Sequence, residues 1–238
     1  MKNLFRRITY CAVTGLASLL SWQVLAVTTT VPGTSDPWLS GMPNTTTASF
    51  NPGSGEPADV APDDSPVLVP ISVVGGTAFN WSASGEVGHP GDVTDPDGKP
   101  SLINYSHFTG AEHGISDITV PIDSLIGVFL GPDQPDLNPP PSALDFSTAA
   151  ARDYMTLAPA LQQVFFLGDG LTDGGDVQMV IAPAGATRLY LGTMDGYSWN
   201  NNIGSFEVTV TAVPDTGSTM TLLGLAMTGL LGFRRNRR

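Results

Sequence analysis

Cysteine is almost missing from this sequence. The single cysteine among 238 residues is Cys11, which lies inside an N-terminal segment that is predicted below to be removed. We therefore expect a mature chain without disulfide bonds and without a cysteine-based metal site. Its stability has to come from core packing, to which a bound metal ion could add.

Basic residues are scarce everywhere except at the two ends. The chain has 10 Lys and Arg residues against 22 Asp and Glu residues, and seven of the ten basic residues lie in 1–7 and 234–238. Between Val27 and Val213, three basic residues face 21 carboxylates, which gives this part a formal charge of −18. A surface this negative repels phosphate backbones, which excludes nucleic-acid binding, and it favours divalent cations.

Recognisable catalytic motifs are also lacking. Neither His-Glu-x-x-His nor Gly-x-Ser-x-Gly occurs in the chain, so the usual zinc-protease and hydrolase signatures are excluded. His107 and His113 are six residues apart, a spacing that matches no helical metal pair. Carboxylates are numerous, but no pair stands out as the acid and nucleophile of a glycosidase. The sequence predicts a protein that is not an enzyme, and a secreted glycan-acting enzyme would rest on carboxylate density alone.

Residues 1–26 have the organisation of a secretory signal peptide. A basic start is followed by an apolar run over 12–25, and Val24-Leu25-Ala26 supplies the small-residue cleavage pattern. The run is short for a membrane span, which takes ~20 residues. Cleavage after Ala26 and export through the general secretory route are therefore predicted, with an uncleaved signal anchor as the alternative.

The C-terminus, 214–238, has three consecutive parts. The polar motif Val213-Pro214-Asp215-Thr216-Gly217-Ser218 is followed by an apolar segment, Met220 to Phe233, and then by Arg-Arg-Asn-Arg-Arg. An apolar segment shorter than the usual ~20 residues spans a bilayer only marginally, and the terminal arginines would stay on the cytoplasmic side. This arrangement predicts transient insertion into the inner membrane; an ordinary tail anchor is the alternative.

The same three parts resemble the PEP-CTERM sorting signal, in the variant with Val-Pro-Asp-x-Gly-Ser. The matching motif residues are Val213, Pro214, Asp215, Gly217 and Ser218. The resemblance implies that an exosortase-type enzyme processes the tail and that the protein then reaches the cell surface or the exterior. It also implies a setting in which extracellular polysaccharide is made.

The body of the chain is predicted to be all-β. Residues 27–66 are rich in Thr, Pro, Gly, Ser and Asp and are expected to form an extended polar lead-in, with Trp38, Leu39 and Met42 as possible docking points. Residues 67–213 contain short alternating or apolar runs separated by Gly and Pro clusters, and only 149–157 looks helical. Many short strands of this kind predict an antiparallel β-sandwich, of jelly-roll or galactose-binding-like type. The runs are 77–83, 126–130, 164–167, 177–181, 187–191 and 206–210.

One connection collects hard oxygen donors. Asp195, Ser198, Asn201 and Asn202 lie between two predicted strands. Calcium takes six to eight such oxygens from carboxylates, amides and backbone carbonyls. The sequence therefore predicts a Ca²⁺ site here. The alternative is an ordinary polar loop, because Asn, Asp, Ser and Gly dominate turns.

The stretch from Asp195 to Phe206 is similar to the terminal loop and strand of the small calcium-dependent galactose-binding bacterial lectins. The resemblance implies a β-sandwich in which sugar hydroxyls complete the calcium shell. It also implies a backbone ligand at Ser84, in the segment Trp81-Ser82-Ala83-Ser84-Gly85, and a sugar contact from His113. An aromatic residue of the family is replaced by Ser84, which removes one sugar contact.

Two aromatic residues in the connection add to this hypothesis. Tyr197 and Trp199 could stack on sugar rings, or one of them could be a core ring and the other a surface ring. The sequence thus predicts an exported calcium-dependent lectin that binds extracellular polysaccharide or another glycan. The alternative is a structural matrix or biofilm protein whose calcium is only stabilising.

Overall fold

The computed structural model describes residues 25–48 and 51–214. The predicted signal peptide, apart from Leu25 and Ala26, and the sorting tail from Asp215 onward lie outside these residues and stay predictions. Within the described ranges, no helix has both the length and the apolar character needed to cross a membrane.

The regular elements of the described residues are twelve strands, one four-residue α-helix and three 3-10 turns. The strands are β1 (Ala26–Pro32), β2 (Val67–Leu68), β3 (Ala78–His89), β4 (Asp92–Thr94), β5 (Ile118–Thr119), β6 (Leu125–Leu130), β7 (Leu144–Asp145), β8 (Thr156–Leu157), β9 (Val164–Phe166), β10 (Met179–Ile181), β11 (Arg188–Thr193) and β12 (Ile203–Val213). The helix is α1 (Ala149–Arg152), and the 3-10 turns are Pro37–Leu39, Pro135–Leu137 and Trp199–Asn201.

The strands form two main sheets. One has the order β1-β12-β3-β10-β8, with β4 paired to β3, and the other has the order β2-β11-β6-β9. Their pairings are antiparallel except for β10 with β8, and the small pair β5 and β7 is also parallel. The predicted all-β sandwich is confirmed by this architecture. Its assignment to a jelly-roll or galactose-binding-like type stays a prediction.

Aromatic residues from both sheets fill the space between them. Phe79 of β3 lies 6.1 Å from Phe129 of β6, and Phe129 lies 5.3 Å from Phe165 of β9, measured between ring centroids. The Trp81 indole N–H donates to the Leu167 carbonyl at 3.1 Å. In β12 the alternating residues Phe206, Val208 and Val210 are buried, as period-2 patterning requires of a strand with one face on the core.

The segment expected as a lead-in is part of the sandwich, which is a correction to the predicted boundary between 27–66 and 67–213. β1 pairs with β12 along its whole length, from Ala26 opposite Thr211 to Pro32 opposite Ser205. Trp38 and Leu39 are completely buried. The threonine-rich composition concealed this edge strand, because Val31 is the one residue of β1 that is fully buried in the core.

The helix expected over 149–157 is much shorter. It covers only Ala149–Arg152, and the Thr148 hydroxyl accepts the Ala151 N–H at its start. Thr156 and Leu157 instead form β8, which pairs with β10. Pairing at the sheet edge therefore overrides the helical preference of the alanine run that precedes it.

Candidate functional site

The candidate site lies in the connection between β11 and β12, which spans residues 194–202. Trp199 is fully buried there, and its indole N–H donates to the Thr193 carbonyl at 2.9 Å. Its ring packs 5.5 Å from Trp38 and 5.8 Å from His107, between ring centroids. The indole fixes the connection to the core, so the polar residues on either side of it have defined positions.

The side chains of Asp195 and Asn202, two of the predicted ligands, are hydrogen-bonded to each other. Asp195 Oδ1 accepts the Gly196 N–H at 2.6 Å, and Oδ2 accepts the Asn202 amide N–H at 3.0 Å. Asn202 also donates to the Gly33 carbonyl at 3.3 Å. Burial raises the pKa of Asp195, and these hydrogen bonds oppose that effect in part.

A second carboxyl group, that of Asp123, joins the site from the turn before β6. Its backbone N–H donates to the Met194 carbonyl at 2.7 Å, directly beside Asp195. The side chain is fully buried, and its pKa is raised to about 6, first by burial and then by the negative charge of Asp195. The Lys99 ammonium is 3.7 Å from Asp123 Oδ2 but only 2.6 Å from Asp92 Oδ2.

Buried oxygen atoms without a hydrogen-bond partner are concentrated here. Eight buried side-chain nitrogen or oxygen atoms in the described part of the chain lack a partner, and five of them belong to this site. They are both carboxyl oxygens of Asp123, the Ser198 hydroxyl, and the amide oxygens of Asn201 and Asn202. An unsatisfied buried acceptor costs ~1–3 kcal/mol, so buried oxygen atoms of this kind favour a ligand that accepts electron pairs.

The donor set is suited to a hard cation. It contains carboxylate, amide and hydroxyl oxygens, which are the ligand types of calcium and magnesium. Among residues 25–48 and 51–214, no group of three or more His, Cys, Asp and Glu side chains is placed to hold a metal. A cation at this site would therefore rely on two carboxylates, Asp123 and Asp195, together with neutral oxygens.

The predicted backbone ligand Ser84 does not lie at the site, which is a correction. Ser84 is opposite Glu207, whereas the connection enters β12 where Ile203 is opposite Gly88. Four residues of extended strand separate the two positions by ~13 Å. Gly88 is the neighbour of the site instead, because a Cβ atom added there would be 3.1 Å from Asp123 Oδ2.

The three predicted sugar-contacting residues have different environments. Trp199 is a core residue, so it presents no ring face to a sugar, and this part of the prediction is corrected. Tyr197 is half-buried and meets the exposed ring of Phe108 edge-on, with 5.9 Å between ring centroids. The His113 ring nitrogen Nδ1 pairs with the Trp38 carbonyl at 2.9 Å, which fixes this half-buried side chain against the N-terminal segment.

Sequence reasoning missed Asp123 because nothing local marks it. It follows the Pro121-Ile122 pair at the start of a strand, and it meets Asp195 only in the folded chain. Its backbone has a left-handed conformation, with φ of 65°. Aspartate tolerates this conformation better than most residues, so a polar residue before an apolar strand was the one weak signal available.

Comparison with known families supports the prediction of a sorting signal at the C-terminus. A model of the VPDSG-CTERM motif matches residues 212–237, which supports a PEP-CTERM-like sorting signal. Of that motif, Val213 ends β12 and Pro214 is described, whereas Asp215, Gly217 and Ser218 lie outside the described residues. The motif indicates an exported, sorted surface protein with a C-terminal processing enzyme as its partner.

Comparisons with curated proteins and with solved structures found no significant match. The resemblance of the body to galactose-binding lectins is therefore supported by no homologue.

Proposed function

We propose that this protein is an exosortase-sorted surface or extracellular-matrix protein whose β-sandwich holds a calcium ion at the 194–202 connection. The proposal depends above all on one observation, the five buried oxygen atoms without hydrogen-bond partners on Asp123, Ser198, Asn201 and Asn202, of which Asp123 Oδ2 has the Lys99 ammonium at 3.7 Å. The acidic body, with a formal charge of −18 between Val27 and Val213, adds a general attraction for divalent cations.

The burial of the site favours a stabilising role for the ion. Asp123 and Ser198 are fully buried, and Asp195 and Asn202 are nearly so. A cation among them would link the connection after β11 to the turn before β6, and it would neutralise two buried carboxyl groups. Neither effect needs a sugar, so this burial supports the structural alternative over the lectin.

Calcium titration of the mature chain tests the proposal. We expect the melting temperature to rise with calcium and to fall with chelator, because a ligand that binds only the folded state stabilises it. Asp195→Asn should abolish the calcium response. Asp176→Asn removes the same charge from an exposed position and should leave the response unchanged. A wild-type protein that melts identically with calcium and with chelator contradicts the proposal.

Carbohydrate binding is the second candidate function. It is supported by the half-buried Tyr197 beside the exposed Phe108, which together present aromatic surface next to the connection. Binding of the mature chain to a glycan array, with calcium and again with chelator, tests it. Calcium-dependent retention that Tyr197→Ala removes would identify a lectin for extracellular glycan. Equal blanks in both conditions leave the matrix-protein role.

A further inference from the structure

Asp59 reaches the candidate calcium connection from a distant part of the chain. It lies in the N-terminal segment, and its side chain is completely buried. Its Oδ2 accepts the Trp199 N–H at 3.0 Å, and its Oδ1 accepts both the backbone N–H and the side-chain amide of Asn200, each at 2.9 Å. One carboxylate therefore binds three donors of the 3-10 turn Trp199–Asn201.

This turn determines where the candidate ligands lie. Ser198 precedes it, and its backbone is left-handed with φ of 62°. Asn201 is its last residue and Asn202 follows it, and their N–H groups donate to the Ser198 and Trp199 carbonyls at 3.3 and 3.0 Å. A shift of the turn would move the oxygen atoms on both sides of it.

Asp59 is itself held firmly in place. Its carbonyl accepts the Ala48 N–H at 2.9 Å. Two residues further on, the Ala61 carbonyl accepts the Thr45 N–H at 2.8 Å and the Ala61 N–H donates to the Thr46 carbonyl at 2.9 Å. The segment that carries Asp59 is therefore a short ladder rather than a free loop. A rigid segment of this kind can hold the turn that it contacts in one position.

We infer that Asp59 is a positioning residue of the cation site, which holds the Trp199–Asn201 turn so that the oxygens of Ser198, Asn201 and Asn202 are preorganised for a cation. Asp59 directs both of its oxygens at donors of the turn, so its contribution here is to position that turn. The inference rests on the proposed calcium site. It adds that the N-terminal segment, outside the predicted domain, controls the affinity of that site.

The test is calcium calorimetry on the mature chain with Asp59→Asn. An asparagine has only one acceptor oxygen, so its amide group would face backbone N–H donors and at least one hydrogen bond would be lost. We expect the dissociation constant for calcium to rise about 10-fold, the effect typical of residues that orient metal ligands. Asp63→Asn is the matched control, since it removes the same charge from an exposed neighbour; it should change the constant less than twofold.

The outcomes separate the two claims. A wild-type protein that binds no calcium overturns the proposed site and this inference together. Unchanged calcium affinity in Asp59→Asn, even with a lower melting temperature, overturns the inference alone and leaves Asp59 as a structural tie. If Asp59→Asn does not fold, Asn200→Ala removes the side-chain amide contacts with Asp59 and with the Pro57 carbonyl and leaves the two backbone N–H bonds to Asp59 in place. It should raise the dissociation constant two- to five-fold; no change would overturn the inference.

Discussion

Asp123 and Asp195 are 72 positions apart in the sequence, yet the backbone of Asp123 is hydrogen-bonded to the residue before Asp195. Both side chains are buried, and the charge of Asp195 helps to raise the pKa of Asp123 to about 6. Like charges in a buried place are unfavourable unless a proton or a cation lies between them. A cation bound between the two carboxyl groups would therefore couple folding to cation binding.

Replacing Asp123 should have opposite effects with and without calcium. In chelator, Asp123→Asn removes one of two mutually repelling buried carboxylates, so we expect the free energy of unfolding to rise by about 1 kcal/mol. With calcium, the variant should gain much less from the ion than the wild type does. Urea unfolding in both conditions measures this, and equal calcium stabilisation of the two proteins would contradict it. Asparagine tolerates the left-handed backbone at this position, so the variant should fold.

Trp199 and Tyr197 should respond very differently to truncation. Trp199→Ala leaves a large cavity among Trp38, His107 and the connection, and it should cost about 3 to 5 kcal/mol of unfolding free energy. Tyr197→Ala should cost less than about 1 kcal/mol, because that ring is only half-buried. Chemical denaturation of both variants checks the difference. Equal small losses would show that Trp199 is not the core residue described above.

Stability without calcium should decrease as the pH rises from about 4 to 7. Burial, followed by the charge of Asp59, raises the pKa of Asp36 well above its ordinary value, and burial raises the pKa of Asp59 to about 6. The folded state therefore binds these protons more tightly than the unfolded state. Their stabilising contribution is complete below the unfolded pKa and is lost as the pH passes the folded one.

The variant Asp36→Asn should reduce this pH dependence, since its amide carries no proton to lose, and the contribution of Asp59 should remain. Asp133→Asn, at an exposed position, should leave the slope unchanged. The measurement is the urea midpoint in chelator across this range. A wild-type urea midpoint that increases steadily toward pH 7 would contradict the expected decrease in stability.

A fragment that begins at Val67 should fail to fold. It lacks β1, which covers the edge of β12, and it lacks Trp38, whose indole N–H donates to the Ser116 carbonyl at 3.1 Å inside the core. A fragment over 27–213 should unfold in one cooperative transition. Near-ultraviolet circular dichroism and thermal melts compare the two, and native-like signals from the shorter fragment would restore the boundary predicted from composition.

The parts of the fold that the sequence predicts are those with strong local patterns. β6 and β9 are short apolar runs, and β12 alternates around Phe206, Val208 and Val210. β1 was missed because its pattern of threonines contains one fully buried residue, Val31. An edge strand needs little apolar surface, so composition alone does not distinguish it from an extended linker.

The residues of the candidate site also divide into those that local sequence predicts and those that only the fold brings together. Asp195 and Asn202 were predictable together because both lie in one connection, so their meeting needs no knowledge of the fold. Asp123 and Asp59 come from distant turns, and only the packing of the sheets brings them there. The prediction of Ser84 as a backbone ligand was wrong for a related reason. The register between β3 and β12 decides which β3 residue lies beside the connection, and a single sequence carries no direct signal of the register between strands so far apart.

β12 joins the candidate cation connection, at Ile203, to the start of the sorting motif, at Val213. Ten steps of extended chain make these ends ~34 Å apart. The two features therefore lie at opposite ends of one strand. Cleavage of the chain beyond Val213 would remove no residue of the connection, so processing of the tail and ion binding by the body would be independent events.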